Sequence, residues 1–295
     1  MIPRRWGARL ALAAALFALA VAGAEGALRV LGLGQVMVYQ ADPRFGYGIR
    51  PNQRISTYGE TIAINSLGLR GPELREPKPP GTLRVTFTGN SITYGGGHLA
   101  EPELFVRRIE QLATSDGLPI EVVNVSVPGW GPQNWTSWLE ANGTLDSDLI
   151  VPVISALDLR LPFTTMEQVG VVDRAPALRL GSLWVRWRAR QLPNLPLSEQ
   201  SGQANLAALR ELERRFPNVP FQPVFLEARP GGDARPSYWG PYEALFPDAI
   251  DLRQTLGPEW FIDDVHFGAP GHAEIARQVW AGLRPRLREL LGRRD

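Results

Sequence analysis

Two stretches of this chain carry residue types that can do chemistry together. In the first, Arg84-Val85-Thr86-Phe87-Thr88-Gly89-Asn90-Ser91 ends in a serine, and Gly95, Gly96 and Gly97 follow closely. The β-branched and aromatic run reads as a buried strand, and a helical pattern begins at Pro102. A serine at the carboxyl end of a strand, where the chain turns toward a helix, stands beside outward-pointing N–H groups suited to negative charge. The same Gly, Ser and Thr content also suits an ordinary strand-to-helix turn. The second stretch is Asp263-Asp264-Val265-His266, followed by Gly271-His272. A serine hydroxyl is a weak nucleophile and needs a base, most often an imidazole oriented by a carboxylate. Asp263 and His266 lie three positions apart, so one turn can join carboxylate and imidazole.

The other candidates fit the chemistry less well. The remaining histidines are His98 and His272. His98 lies across the glycine run from Ser91 and reads as a surface or cleft-rim residue, and His272 reads as a helix-start residue. Asp264 is the alternative to Asp263 as the orienting carboxylate. His266, His272 and Asp263 contain metal-ligand types, but their spacing is not that of a compact metal site. The chemistry asks for no cofactor.

These residues need elements to hold them. Residues 102–113 place Leu104, Phe105, Ile109 and Leu112 on one face of a helix. Residues 120–127 read as a second strand, a helix follows Gly129-Trp130-Gly131-Pro132 to about residue 142, and residues 148–157 form a third, almost wholly apolar strand. A helix at 205–216, a strand at 219–226 and a closing helix at 271–291 complete the alternation, with Ile275, Val279, Leu283, Leu287 and Leu290 forming the apolar stripe of the last. Strands this apolar, alternating with helices, imply a parallel sheet covered on both faces. The loop at 229–240 is expected to border the site.

Residues 160–200 are an insertion. Within it, 179–190 interleaves tryptophan with arginine and puts Leu180, Leu183, Trp184 and Trp187 on one helical face. That face suits a membrane interface or an anionic glycan. It equally suits a cover helix that buries its apolar side and solvates its basic one.

At the amino terminus, Arg4, Arg5 and Arg9 precede an apolar run from residue 10 to 24. This is the layout of an export signal, and small residues at 20–24 offer cleavage sites. The further apolar residues at 28–38 would lengthen the run into a membrane anchor. Both outcomes put the rest of the chain outside the cytoplasm. We therefore divide the chain into a signal peptide or signal anchor (1–34), a lead segment with a hairpin around Gly59-Glu60 and a proline-rich connector (35–81), and the main domain (82–295). The 295 residues suffice for one sizeable core. A net charge of +1 gives no global argument for nucleic acid, and the absence of cysteine excludes disulfides and thiolate chemistry.

In their order and spacing these stretches resemble the SGNH (GDSL-type) hydrolase family. Gly89-Asn90-Ser91-Ile92-Thr93 is similar to its first block, with Asn90 where the family has Asp. Asn124-Val125-Ser126-Val127-Pro128-Gly129 is similar to its second block, and Asp263 to His266 to its Asp-x-x-His block. The likeness also takes in Ile64-Asn65-Ser66-Leu67-Gly68-Leu69-Arg70-Gly71. It implies a flavodoxin-like three-layer α/β/α sandwich and a catalytic set of Ser91, His266 and Asp263, with the N–H groups of Ser91 and Gly129 as oxyanion-hole donors. The family's third block supplies an asparagine donor, and here Leu157 stands in that place. Asn90 or Asn134 would then have to substitute, or substrate groups would have to help, or the activity would be weak. The resemblance implies an extracytoplasmic serine esterase, anchored to the membrane or freed by signal cleavage, that takes O-acyl groups, O-acetyl above all, from a carbohydrate or related ester. The alternatives are a non-catalytic module of envelope polysaccharide assembly and an O-acyltransferase.

Overall fold

A computed structural model describes residues 4–57, 59–227 and 236–293. The chain opens with an apolar helix, α1 (Arg4–Val30), whose residues Trp6–Val30 have a mean hydropathy of 1.9 and are long and apolar enough to cross a membrane. Leu10, Leu12, Leu16, Phe17 and Leu19 on it are all exposed. Two hairpins follow, β1 (Tyr39–Asp42) with β2 (Gly46–Ile49) and β3 (Gln53–Thr57) with β4 (Glu60–Ile64). The second is the expected hairpin. The first was not foreseen, because its strands are only four residues long and carry no alternating pattern.

The main sheet begins with β5 (Leu83–Gly89), which is buried along its whole length. The short helix α2 (Ser91–Tyr94) follows it directly, then α3 (Phe105–Ser115), β6 (Ile120–Ser126), α4 (Pro132–Asn142) and β7 (Leu149–Ser155). The insertion holds α5 (Met166–Val169) and α6 (Gly181–Arg190). After it come α7 (Glu199–Arg215), β8 (Val224–Leu226), α8 (Pro236–Leu245), β9 (Ile250–Asp251) and α9 (Ala269–Gly292). Residues 229–235 of the expected bordering loop lie outside the described residues, and Pro236 to Gly240 belong to α8.

The sheet order is β6-β5-β7-β8-β9 and every pairing is parallel. This is a flavodoxin-like, doubly wound sheet, and the strand order reverses beside β5. Alternate residues of each strand feed two cores. Val85, Phe87, Val122, Val151 and Val153 pack with Phe105 and Ile109 of α3 and with Ile275, Val279, Leu283 and Leu287 of α9. On the opposite face Val123, Val125, Ile150 and Ile154 pack with Trp135 and Leu139 of α4 and with Leu206, Leu209 and Leu212 of α7. Each fully buried aliphatic or aromatic side chain contributes roughly 1.5–3 kcal/mol.

The lead segment belongs to the second core. Tyr47, Ile49, Ile62, Ile64 and Leu69 are buried with Trp130 and Trp135. The proline-rich stretch after it is fastened to the sheet by the fully buried Arg84, which donates to Glu121 at 2.9 Å, to the Leu145 carbonyl at 2.6 Å and to the Arg75 carbonyl at 2.6 Å.

Candidate active site

Ser91 stands where β5 stops. Gly89, the last residue of β5, is in register with Ser126 of β6, and Thr88 with Pro152 of β7. The loops after all three strands therefore leave the same sheet edge. This is the carboxyl edge, at the point where strand order reverses, where doubly wound sheets hold their ligands. Asn90 is the N-cap of α2: its Oδ1 accepts the Ile92 N–H at 2.8 Å. That bond turns the chain so that Ser91 begins the helix.

The serine meets the imidazole from the far end of the chain. Ser91 Oγ lies 2.8 Å from His266 Nε2, and His266 Nδ1 lies 2.9 Å from Asp263 Oδ2. With its proton on Nδ1, the ring donates to Asp263 and leaves Nε2 free to accept the serine proton. Asp263 also accepts the N–H groups of Val265 at 2.8 Å and His266 at 2.7 Å, which close the turn. Burial raises the Asp263 carboxyl, but those two N–H groups and the His266 ring outweigh it and hold the carboxyl below its ordinary value. The carboxylate on the imidazole is thus that of Asp263 and not Asp264. His98 braces this arrangement from the serine side, its Nε2 donating to the Phe267 carbonyl at 3.2 Å. His272 lies apart from the serine, buried in α9, where its Nδ1 accepts the Phe105 N–H at 3.1 Å. Burial holds its imidazole down to about 3, so it stays neutral.

Gly129 follows β6 with φ +85°, a left-handed conformation that suits glycine. A Cβ there would also sit 2.7 Å from Tyr47 Oη and 2.9 Å from a Val169 methyl. The turn is held by Tyr47, which donates to the Pro128 carbonyl at 2.7 Å, and by Thr164, which donates to the Gly129 carbonyl at 2.8 Å. Among the described residues, neither the Ser91 nor the Gly129 N–H is donated to a protein carbonyl.

Both asparagines are engaged in hydrogen bonds of their own. Asn134 is fully buried and gives its amide hydrogens to the Phe45 carbonyl at 3.1 Å and the Thr164 carbonyl at 2.8 Å. Asn90 Nδ2 donates toward Ser155 Oγ at 3.1 Å and Asp158 Oδ2 at 3.0 Å, which are themselves 2.7 Å apart. Both residues brace the loops around the serine. Leu157 is half-buried in the turn after β7, and its side chain carries no polar group.

Neither a protein-family model nor a curated protein sequence matches the chain. Solved structures similar to it include an acetylxylan esterase from Geobacillus stearothermophilus, 18% identical over 68% of this chain and 94% of that one, with a TM-score of 0.44. A lipase/acylhydrolase from Enterococcus faecalis is 15% identical over 69% of this chain and 96% of that one, with a TM-score of 0.47. A two-domain esterase active on acetylated mannans is 14% identical over 69% of this chain and 49% of that one, with a TM-score of 0.46.

Two further residues shape the site and were given no role from the sequence. Arg70 is fully buried and holds the glycine loop after Ser91, donating to the carbonyls of Tyr94 at 3.0 Å, Gly96 at 2.5 Å and Leu99 at 2.6 Å, with Glu101 at 3.1 Å. The stretch around it carries part of the family resemblance, and that was the available signal. Asp158 is also fully buried. Its Oδ2 accepts from Ser155 N at 2.7 Å, Ser155 Oγ at 2.7 Å and Asn90, while its Oδ1 has no partner among the described residues. Burial pushes its carboxyl up to about 6 against the pull of those donors.

Proposed function

We propose that this chain is a serine esterase of the SGNH type, held outside the cytoplasm by α1, that removes O-acyl groups, chiefly O-acetyl, from carbohydrate. One observation carries the reading: the relay in which Ser91 Oγ lies 2.8 Å from His266 Nε2 while Nδ1 lies 2.9 Å from Asp263. Such a relay joins residues 175 positions apart, and core packing alone does not require it.

In the proposed reaction Ser91 Oγ attacks the ester carbonyl and its proton passes to His266 Nε2. Asp263 keeps the ring in the tautomer that can accept that proton and stabilises the resulting imidazolium. The oxyanion forms toward the N–H groups of Ser91 and Gly129, each such donor being worth about 2.7–4 kcal/mol. The leaving alcohol takes the proton from Nε2. A water then gives a proton to the same nitrogen and attacks the acyl-serine, and Ser91 Oγ departs with that proton from Nε2 as the acid is freed. Leu157, the residue that favours a non-catalytic module, removes one donor but leaves the relay intact.

The membrane reading rests on the length and apolarity of α1 and on the arginines before it, which favour a cytoplasmic amino terminus. The carbohydrate substrate follows from the family resemblance and that location. Turnover of p-nitrophenyl acetate by the full chain tests the reading, with loss of at least about a thousandfold expected in Ser91→Ala and in His266→Ala. Equal turnover in the native chain and both variants would refute it. Release of acetate from acetylated polysaccharides tests the substrate separately.

A further inference from the structure

The helix α6 turns the wrong side inward. Its sequence puts Leu183, Trp184 and Trp187 on one face, and a cover helix would bury that face. Instead Ser182 and Val185 are buried against the body, while Leu183 is 63%, Trp184 55% and Trp187 59% exposed. Large apolar side chains clustered on one exposed face mark an interaction surface. Around them stand Arg186, Arg188 and Arg190, with Arg179 just before the helix, and no acidic residue occurs between Asp173 and Glu199.

The start of α6 is stitched to the end of α1. Glu25 of α1 accepts the N–H groups of Arg179 at 2.9 Å and Leu180 at 3.1 Å, and Arg29 donates to the Ala177 carbonyl at 3.1 Å. Between the two helices runs an open groove of about 540 Å³, lined by Ala27, Leu28, Leu31, Leu180 and Leu183. The hydrocarbon core of a bilayer is about 30 Å thick and takes up about 20 helical residues. Counted from Trp6, those residues run out near Glu25, where α6 is tied. An arginine-rich helix showing tryptophan and leucine, fixed at that level, has the composition of an interfacial helix.

We propose that the exposed face of α6 docks on the anionic surface of the bilayer that α1 spans, so that two helices and not one set the stance of the catalytic domain on the membrane. The proposal rests on the anchoring role of α1. Leucine and tryptophan enter the headgroup boundary, and the arginines meet lipid phosphates.

The chain contains no cysteine, so a single introduced cysteine carries a spin label at one place. The full chain is reconstituted in vesicles of phosphatidylcholine and phosphatidylglycerol. Labels are placed at Leu183→Cys, at Trp187→Cys, at Leu16→Cys in α1 and at Arg215→Cys, exposed at the far end of α7. Accessibility to oxygen, which partitions into lipid, is compared with accessibility to a water-soluble nickel chelate. The expected result is an oxygen-to-nickel ratio several-fold higher at 16, 183 and 187 than at 215. If 16 is shielded from nickel while 183 and 187 are open to it, the docking is refuted and the anchor stands. If 16 is itself open to nickel, the anchor is refuted and the docking falls with it. Labels at 183 and 187 that become shielded only when an anionic polysaccharide is added would assign the face to a glycan and overturn the proposal.

Discussion

The amide of Asn90 donates to the carboxylate of Asp158 at 3.0 Å, directly beneath the turn that presents Ser91. The oxygen of the same side chain caps α2 by accepting the Ile92 N–H. One residue thus faces an acceptor on one side and a donor on the other. An asparagine satisfies both, and an ionised aspartate satisfies only the second.

Asn90→Asp would set two carboxylates against each other in a buried site. One of them must then keep a proton that the unfolded chain gives up near its ordinary value. A folded-state value above the unfolded one adds stability at low pH that is lost as pH rises through it. We expect Asn90→Asp to be less stable than the native chain by about 2 kcal/mol or more at pH 8, and the deficit to shrink at pH 5. Asn90→Asp combined with Asp158→Asn swaps the pair and recovers part of the loss. Urea denaturation at the two pH values measures both effects.

Leu157→Asn would place an amide donor where the family resemblance implies one. The expected outcome is a rise in kcat of about tenfold to a hundredfold with little change in KM, because a donor to the oxyanion acts on the transition state. An unchanged or lower kcat would show that the position does not face the reacting carbonyl.

His272 makes the fold sensitive to acid. Its buried imidazole, held down to about 3, accepts the first N–H of α3 and must stay neutral to do so. The unfolded chain protonates this ring near 6.5. Stability is therefore full above that value and is lost as pH falls toward 3. Between pH 6.5 and 5 the loss from this residue is about 2 kcal/mol. His272→Gln should be less stable than the native chain at pH 7 but should lose less between pH 7 and 5, a difference that denaturation midpoints report directly.

The parts of this molecule legible in its sequence are those that local pattern dictates. Leu149 to Ile154 form a continuous apolar run, as a strand buried on both faces requires, and Val85, Phe87, Val122 and Val125 lie in two further runs rich in β-branched and aromatic residues. The alternation of such runs with helices then implied the parallel sheet. Strand β9 was not legible, since two residues, Ile250 and Asp251, carry no period and pair only because β8 lies beside them. Helix α7 starts at Glu199, six residues before the expected boundary, because Ser198 caps it by accepting the Ser201 N–H at 3.0 Å. The orientation of α6 could not be read either: its pattern marked which residues share a face, and only the surrounding structure decides which way that face looks.

The same division holds at the site. Ser91, Asp263 and His266 were legible because their chemistry limits what they can do together. Arg70, Tyr47 and Asp158 were not, because an arginine, a tyrosine or an aspartate reveals nothing of its partners until the chain has folded. The contacts of Asn134 were hidden for the same reason. Its amide lies between Phe45 and Thr164, residues far from it in sequence, and those contacts consume both its hydrogens.

The central claim is that His266 activates the Ser91 hydroxyl. It is tested most directly by treating the full chain with a fluorophosphonate and locating the adduct by peptide mass mapping. The account predicts one phosphonyl group per chain, on Ser91, absent in Ser91→Ala and slowed by at least about a thousandfold in His266→Ala. A folded native chain that takes up no label, or one labelled equally fast without His266, would contradict it.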